Sequence, residues 1–332
     1  MRLVVHIGMG KTGTTAIQGA LAGAEGELVA QNARYLGMWF DLVDPRFAGH
    51  AGLEAFASAT AGEQKAHAAT FAKALKVIAK LDGTRLFLLS NEGLFGMGRR
   101  LAPFFKALCR RIDVTFVAYV RPVRAWLPSA FTQWGIRHKA YPGPIAGFGT
   151  VGRRLVGQYG GVRQWSSRFS GELTVRPFDK GMDVVEDFAR TAGVALGAPG
   201  PRLLERPEPA ETLLRALFND RFEEPVLPER FSAAVMRGRA PRRVSEMAEL
   251  CFGRGGMDEV VAERAELFDE IREITGLDLA APLPAGEAPL DPEALRERLI
   301  DHLIEIVLQQ SLRIERLERR MDAPPAEAED GA

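Results

Sequence analysis

The stretch VVHIGMGKTGTTAIQGAL, residues 4–21, joins a short apolar run to a helical pattern through a turn that contains three glycines. Residues 3–8 are predicted to form a buried strand, and residues 14–24 a helix with Thr14 or Thr15 near its N-terminal cap. The backbone N–H groups of such a turn are unpaired, and they converge at the positive end of the helix dipole. The stretch therefore predicts a strand–turn–helix unit that binds an anion.

The side chains of this turn suit a phosphate group. Three glycines leave room for a close approach, and three threonines add hydroxyl donors; these residues are Gly8, Gly10, Gly13, Thr12, Thr14 and Thr15. Lys11 adds a mobile positive charge over the bound group. A lysine aimed at a departing phosphate oxygen stabilises the transition state more than the ground state. The turn thus predicts chemistry in which a phosphate oxyanion leaves.

The order of these residues differs from the pattern of nucleoside triphosphatases. Gly8 and Gly13 have the separation of G-x-x-x-x-G-K-[ST], in which a lysine follows the second glycine. Thr14 stands at that position here, and the lysine is Lys11. Such an enzyme also needs an acidic residue at a strand end for Mg²⁺, for which Glu92 is a poor substitute. A P-loop kinase or triphosphatase stays open as an alternative, as does a non-catalytic nucleotide-binding scaffold.

Further apolar runs predict more strands, which alternate with helical patterns. The strands are predicted at residues 85–90, 113–120 and 172–178, and the helices at residues 14–24, 101–111 and 124–136. Strands that alternate with helices indicate a parallel sheet with helices on both faces. We therefore predict a three-layer α/β fold like that of P-loop proteins.

The composition changes after about residue 200, where prolines and glycines form a linker. Helical patterns follow near residues 208–222, 242–252 and 257–274. The predicted organisation is a core at 1–198, a helical extension at 199–292, a C-terminal helix at 293–320 and a tail, disordered by its composition, at 321–332.

The C-terminal helix carries a heptad-like stripe of apolar residues with a serine in its one gap. The stripe consists of Ile300, Ile304, Val307, Ser311 and Ile314. Two interpretations stay open. The helix packs on the body of its own chain, or it joins a second copy in a homodimer.

The loop HIGMGKTGTTAIQ resembles the 5′-phosphosulfate loop of the sulfotransferases that use 3′-phosphoadenosine 5′-phosphosulfate (PAPS). It is similar in particular to the bacterial branch with H-I-G-x-x-K-T-G-T-T. In that family the loop lysine contacts the oxygen between phosphate and sulfate, which implies this role for Lys11. The resemblance implies that Thr12, Gly13, Thr14 and Thr15 also bind PAPS. It covers about residues 1–195 and fades towards the carboxyl terminus.

A second motif fits the 3′-phosphate that distinguishes PAPS from ATP. The family's signature is an arginine at a strand end and a serine eight residues later in the next helix. In FVAYVRPVRAWLPSAF, Arg121 ends the predicted third strand and Ser129 stands eight positions on. The planar, always-charged arginine side chain suits phosphate oxygens, and the serine adds a hydroxyl donor. Arg124 is a further candidate within reach of a phosphate.

Transfer to a hydroxyl or an amine also needs a proton acceptor near the nucleophile. The segment RLFLLSNEGLFG places Glu92 at the carboxyl end of a buried strand, the end that faces the ligand crevice in an open α/β sheet. The pattern S-x-E at this position in the resembling branch implies that Glu92 is the base. His6 and His138 stay open as alternatives.

The resemblance implies a sulfotransferase that converts PAPS and an acceptor into adenosine 3′,5′-bisphosphate and a sulfated product by in-line displacement, with no metal. The acceptor is left open between a carbohydrate, a lipid-linked glycan and a small alcohol. The extension at 199–292 is expected to shape the acceptor side.

Bulk composition bounds the partners and the compartment. Lys and Arg together number 43, and Asp and Glu together also number 43. Because these charges cancel, we expect no long-range electrostatic attraction to nucleic acid. Cys109 and Cys251 show no metal-ligand spacing and suit a reducing compartment. No apolar run reaches the length of a membrane span, and the N-terminal residues MRLVV lack the features of a signal peptide. We expect a cytoplasmic protein.

Overall fold

The structure is a computed structural model that describes residues 1–139, 141–179, 181–197, 209–233, 244–253, 255–282 and 291–321. The chain divides into two compact units. The first comprises Met1–Gln133, Gly147–Glu205 and Arg254–Leu283, and the second comprises Trp134–Ala146, Arg206–Gly253 and Pro284–Ala332. The predicted tail lies outside the described residues beyond Met321, as does most of the predicted linker after about residue 200.

The first unit is built around a parallel sheet that has five strands within the described residues. The strands are β1 (Arg2–His6), β2 (Ala33–Tyr35), β3 (Leu86–Ser90), β4 (Asp113–Val120) and β5 (Leu173–Pro177). Their order is β2-β3-β1-β4-β5, and every neighbouring pair is parallel. The predicted α/β fold is confirmed. The edge strand β2 is absent from the sequence-based prediction because three residues are too few to show a period.

Helices cover both faces of this sheet and form the second unit. In chain order the α-helices of the described residues are α1 (Thr14–Gly23), α2 (Glu25–Ala30), α3 (Gly49–Ser58), α4 (Ala61–Asp82), α5 (Ala102–Cys109), α6 (Val123–Phe131), α7 (Phe148–Val156), α8 (Gly160–Phe169), α9 (Val184–Ala192), α10 (Pro209–Asn219), α11 (Pro228–Ala233), α12 (Val244–Phe252), α13 (Met257–Ala262), α14 (Ala265–Thr275) and α15 (Pro292–Met321). Short 3-10 turns span Pro45–Phe47, Glu92–Met97 and Gly157–Tyr159, and a π-helical turn spans Thr132–Arg137. Among the described helices, none combines the length and apolarity of a membrane span.

One face of the sheet packs against α1 and α9. Val4 of β1 and Val117 of β4 are fully buried there with Ile17 of α1 and Phe188 of α9. Because side chains alternate along a strand, the intervening residues point to the opposite face. Both faces are therefore apolar, as expected for strands of a parallel sheet between two helical layers.

The opposite face is packed mainly with aromatic rings. Phe116 of β4 lies 5.0 Å from the ring of Phe105 on α5 and 4.8 Å from that of Trp165 on α8. Phe104 continues the cluster at 4.9 Å from Phe105. Large rings carry much of the burial free energy of a core. They fix α5 and α8 against the sheet and leave its carboxyl edge for the site.

The second unit is helical in the part that the structure describes, which confirms the predicted helical C-terminal region. Its helix α10 contacts both α12 and α15. Leu213 and Ala216 of α10 are fully buried, as is Met247 of α12. The ammonium group of Lys139 donates a hydrogen bond to the carbonyl of Phe222.

Candidate functional site

The sheet order brings three predicted groups to one edge. Strand β1 lies between β3 and β4, so the chain leaves it on one side for β2 and β3 and on the other for β4 and β5. Open α/β sheets bind ligands at such a switch point, outside the carboxyl ends of the strands. The glycine-rich loop follows β1, Glu92 follows β3 and Arg121 follows β4. The predicted loop, base and arginine thus come from three adjacent strands.

The loop between β1 and α1 has an unusual backbone. Gly8 and Gly13 have φ angles of +45° and +83°, which glycine adopts freely. A Cβ atom on Gly13 would lie 2.7 Å from Cγ1 of Val184, so no side chain fits there. Lys11 also has a positive φ of 67°. A left-handed conformation costs a residue with a side chain about 1–2 kcal/mol, and such strain concentrates at functional sites.

The three threonines of the loop have different environments. The Thr12 hydroxyl is buried and donates to the carbonyl of Met9 at 2.5 Å, so it braces the loop. The Thr14 hydroxyl is buried and has no hydrogen-bond partner among the described residues. Thr15 is exposed at the first turn of α1. A buried hydroxyl needs a partner, so Thr14 Oγ1 suits an oxygen of a bound anion.

Trp126 ties the loop to helix α6. Its buried indole donates from Nε1 to the carbonyl of Gly10 at 2.8 Å. Ser129 is half-buried three residues later, and residues three apart share one face of a helix. Ser129 therefore lies on the face of α6 that contacts the loop. Sequence reasoning missed the role of Trp126, because an apolar helix position gives no sign of its indole N–H.

Phe178 stands between the loop and Arg121. A Cβ atom on Gly13 would lie 3.2 Å from Cε2 of Phe178, and the Arg121 guanidinium carbon lies 5.9 Å from the centre of the same ring. The backbone of Arg121 is held by Tyr159, whose hydroxyl donates to its carbonyl. Arg124 is differently engaged and pairs with Asp258. Arg121 and the loop thus lie beside the same aromatic ring.

Glu92 is half-exposed at the other side of the loop. A Cβ atom on Gly8 would lie 3.3 Å from the Cβ of Glu92. Gln18 of α1 donates from Nε2 to Glu92 Oε2 at 3.2 Å and to the carbonyl of Ser90 at 3.0 Å. Burial and, secondly, the charge of Glu92 raise the pKa of Tyr35 to about 12. Gln18, which the sequence analysis missed, positions this carboxylate.

His6 lies beneath the site at the end of β1. It is fully buried, and its Nδ1 is 2.8 Å from the hydroxyl of Ser90. Burial lowers the pKa of His6 to about 3, so the ring is neutral near pH 7 and accepts a proton poorly. This favours Glu92 over His6 as the base. His138, the other alternative, belongs to the second unit.

The burial of His6 predicts a pH dependence of stability. Its folded pKa of about 3 is below the ordinary 6.5, so between these values the unfolded chain binds a proton that the folded chain does not. His6 therefore costs stability as the pH falls below 6.5, by about 1.4 kcal/mol for each pH unit. Chemical denaturation at several pH values between 6 and 4 measures the free energy of unfolding. We expect this free energy to fall less steeply with decreasing pH for His6→Asn than for the wild type. An equally steep fall in both proteins would contradict the burial of a neutral ring.

No family model matches the chain, and no curated protein matches it either. Among solved structures it is similar to the tunicamycin resistance protein of Deinococcus radiodurans, at 17% identity over 60% of this chain and 98% of that one, with a TM-score of 0.34. A sulfotransferase from Alicyclobacillus acidocaldarius matches at 14% identity over 64% and 89%, with a TM-score of 0.34. The sulfotransferase domain of the Synechococcus PCC 7002 olefin synthase matches at 12% identity over 75% and 93%, with a TM-score of 0.30.

Proposed function

We propose that this protein is a PAPS-dependent sulfotransferase that moves a sulfuryl group to a hydroxyl or amine of an acceptor. The observation that carries the proposal is the position of Phe178, which borders both the glycine-rich loop and Arg121. Two anion-binding groups beside one ring suit a nucleotide with phosphates at both ends of its ribose. Glu92, on the far side of the loop, supplies the base that transfer requires.

The loop fits the phosphosulfate end of PAPS. Gly13 holds a left-handed turn against Val184 that no residue with a side chain could form, and Thr14 carries a buried hydroxyl without a partner among the described residues. Helix α1 begins at Thr14, and the first N–H groups of a helix are free to bind an anion. Lys11 supplies the positive charge. We assign the loop to the 5′-phosphosulfate.

Arg121 fits the 3′-phosphate. Strands β1 and β4 are parallel neighbours, so the loop after β1 and Arg121 after β4 leave the sheet at the same edge. The arginine side chain pairs with two oxygens of a phosphate at once. Ser129 adds a hydroxyl from the face of α6 that also carries Trp126. We assign Arg121 and Ser129 to this phosphate.

The residues divide the reaction between them. PAPS, when bound, supplies the activated sulfuryl group, whose bond to the 5′-phosphate oxygen breaks as the acceptor oxygen or nitrogen bonds to sulfur. Glu92 takes the acceptor proton. Lys11 and the loop N–H groups hold the charge that develops on the departing phosphate oxygen. Gln18 keeps Glu92 beside the loop. The residues act by position and charge, as in phosphoryl transfer.

The acceptor approaches from the side of β2. Arg121 and the loop occupy the side of β1 and β4, whereas Glu92 follows β3, the neighbour of β2. The segment Tyr35–Trp39, which starts at the last residue of β2, is half-buried along its length, and the ring of Trp39 lies 5.2 Å from that of His50. Half-exposed aromatic rings suit an acceptor with an apolar or ring-shaped body. A role of residues 199–292 on the acceptor side stays a prediction.

Nucleotide binding tests this function most directly. We expect Arg121→Ala to weaken binding of adenosine 3′,5′-bisphosphate by about 30- to 100-fold, because a charge-assisted pair with phosphate is lost. Adenosine 5′-phosphosulfate lacks the 3′-phosphate and should bind both proteins equally. Isothermal titration calorimetry measures each affinity.

Arg124→Ala is the matched control, since Arg124 lies three residues away and pairs with Asp258. It should leave both affinities unchanged. Equal weakening of both nucleotides by Arg121→Ala would refute the 3′-phosphate assignment. A wild type that binds neither nucleotide and sulfates no member of a broad acceptor panel with PAPS would refute the function itself.

A further inference from the structure

Helix α15 extends well past the helix on which it packs. It spans Pro292–Met321, 30 residues, or about 45 Å at the usual rise. Its partner α10 spans Pro209–Asn219, 11 residues, or about 16 Å. Leu295 and Leu299, near the start of α15, are buried. The remainder of α15 is too long for α10 to cover.

This remainder exposes an unusual number of apolar side chains. Eight large hydrophobic residues between positions 300 and 317 are each 43–56% exposed: Ile300, Leu303, Ile304, Val307, Leu308, Leu312, Ile314 and Leu317. Helices in water gain most of their stability from a packed apolar face. Monomeric proteins rarely leave a contiguous apolar patch of this kind uncovered, so the patch indicates an interaction site.

The spacing of these residues specifies the partner. Ile300, Val307 and Ile314 recur every seven residues, and the positions three residues after each are Leu303, Gln310 and Leu317. We call these six residues the seam. β-branched residues at the first position of this repeat and leucine at the second favour two parallel helices. Gln310 is the one polar residue of the seam.

We propose that α15 pairs through the seam with α15 of a second copy of this chain, in parallel and in register. Covering the five apolar seam residues and the adjacent Ile304 buries roughly 500 Å² on each copy, and flanking polar side chains bring the pair to about 1,200 Å², the lower end for specific interfaces. We therefore expect dissociation constants in the micromolar range. This inference does not depend on the proposed function.

Other occupants fit less well. Residues 322–332 read DAPPAEAEDGA and contain no large apolar side chain to cover the seam. A helix that lies on an anionic membrane is rich in basic residues opposite its apolar face. Helix α15 mixes both signs beyond position 300, with four acidic and four basic residues: Asp301, Glu305, Glu315 and Glu318, and Arg313, Arg316, Arg319 and Arg320. The mixture favours a helical partner over a lipid surface.

Light scattering of the full chain across about 1–100 µM tests the pairing. We expect a monomer–dimer equilibrium, and Val307→Glu should raise the dissociation constant by about 100-fold because it places a charge in the seam. Leu312→Glu is the matched control: Leu312 is as exposed, at 56% against 54%, but lies off the seam. Circular dichroism should show unchanged helix content in both variants.

Cysteine cross-linking tests the orientation. In a parallel pair position 314 faces its own counterpart, so Ile314→Cys should form an interchain disulfide under mild oxidation, and Leu312→Cys should not. A monomeric wild type, including one that instead co-sediments with phosphatidylglycerol vesicles, would overturn the proposal. So would equal dissociation by Val307→Glu and Leu312→Glu. A dimer in which Ile314→Cys fails to cross-link would overturn the parallel register.

Discussion

We expect the Lys11→Gly variant to fold as the wild type does and to lose transfer activity by about 100- to 1,000-fold in kcat, the cost of removing one group that stabilises a developing oxyanion. Glycine adopts the left-handed backbone of residue 11, where φ is 67°, without the strain that lysine bears there. The loop should therefore keep its shape while its charge is lost. Steady-state kinetics with PAPS and thermal unfolding measure the two effects.

The comparison of nucleotide affinity with turnover decides the role of Lys11. If Lys11 acts on the departing oxygen, its removal lowers kcat far more than it weakens PAPS binding. Lys11→Ala serves as the control for backbone effects, because alanine keeps the strained φ and lacks the charge. Both variants should lose similar activity. Equal losses in kcat and in PAPS affinity would instead make Lys11 a ground-state binding residue.

The parts of the site that sequence predicted are those whose residue types carry the chemistry. Gly8 and Gly13 have positive φ angles, and Lys11, which lies between them in the sequence, has one as well. Glu92 and Arg121 follow strands that the apolar runs predicted. Strand ends are local features, and the parallel topology brings them together without further information. The meeting of these groups at one sheet edge therefore follows from strand prediction, whereas their roles stay predictions that rest on the resemblance.

The residues that hold these groups in place were beyond sequence reasoning. Gln18, Trp126 and Phe178 each contact a residue far away in sequence, as the 74 positions between Gln18 and Glu92 show. A glutamine on a helix and a phenylalanine after a strand are common in any α/β protein. Their roles come from tertiary packing, which a single sequence does not encode as a local pattern.

The long stretch between β1 and β3 was also not predicted in detail. After α1 it contains α2, β2, α3 and α4. Alanine-rich helical patterns such as that of α4 carry a weak amphipathic signal, and β2 has only three residues. Their placement matters because β2 leads into the segment Tyr35–Trp39, beside Glu92. The acceptor side of the proposed site was thus the part least visible in the sequence.

The second large effect is expected at Glu92. Glu92→Gln keeps the size of the side chain and can still contact Gln18, but it removes the proton acceptor. We expect kcat with an alcohol acceptor to fall by about 100- to 10,000-fold, the usual contribution of a general base. Binding of PAPS should be unchanged, because Arg121 and the loop hold the nucleotide. Calorimetry and steady-state kinetics with the same acceptor measure the two quantities.

The acidity of the acceptor separates a base from a residue that only maintains structure. A nitrophenol ionises readily and needs little help from a base, whereas an aliphatic alcohol needs it fully. If Glu92 removes the proton, Glu92→Gln should therefore harm transfer to the alcohol far more than transfer to the nitrophenol. Gln18→Leu, which frees the carboxylate without removing it, should cause a smaller loss with the alcohol. An equal loss for both acceptors in Glu92→Gln would mean that Glu92 shapes the cleft, and the base would have to be sought among other residues.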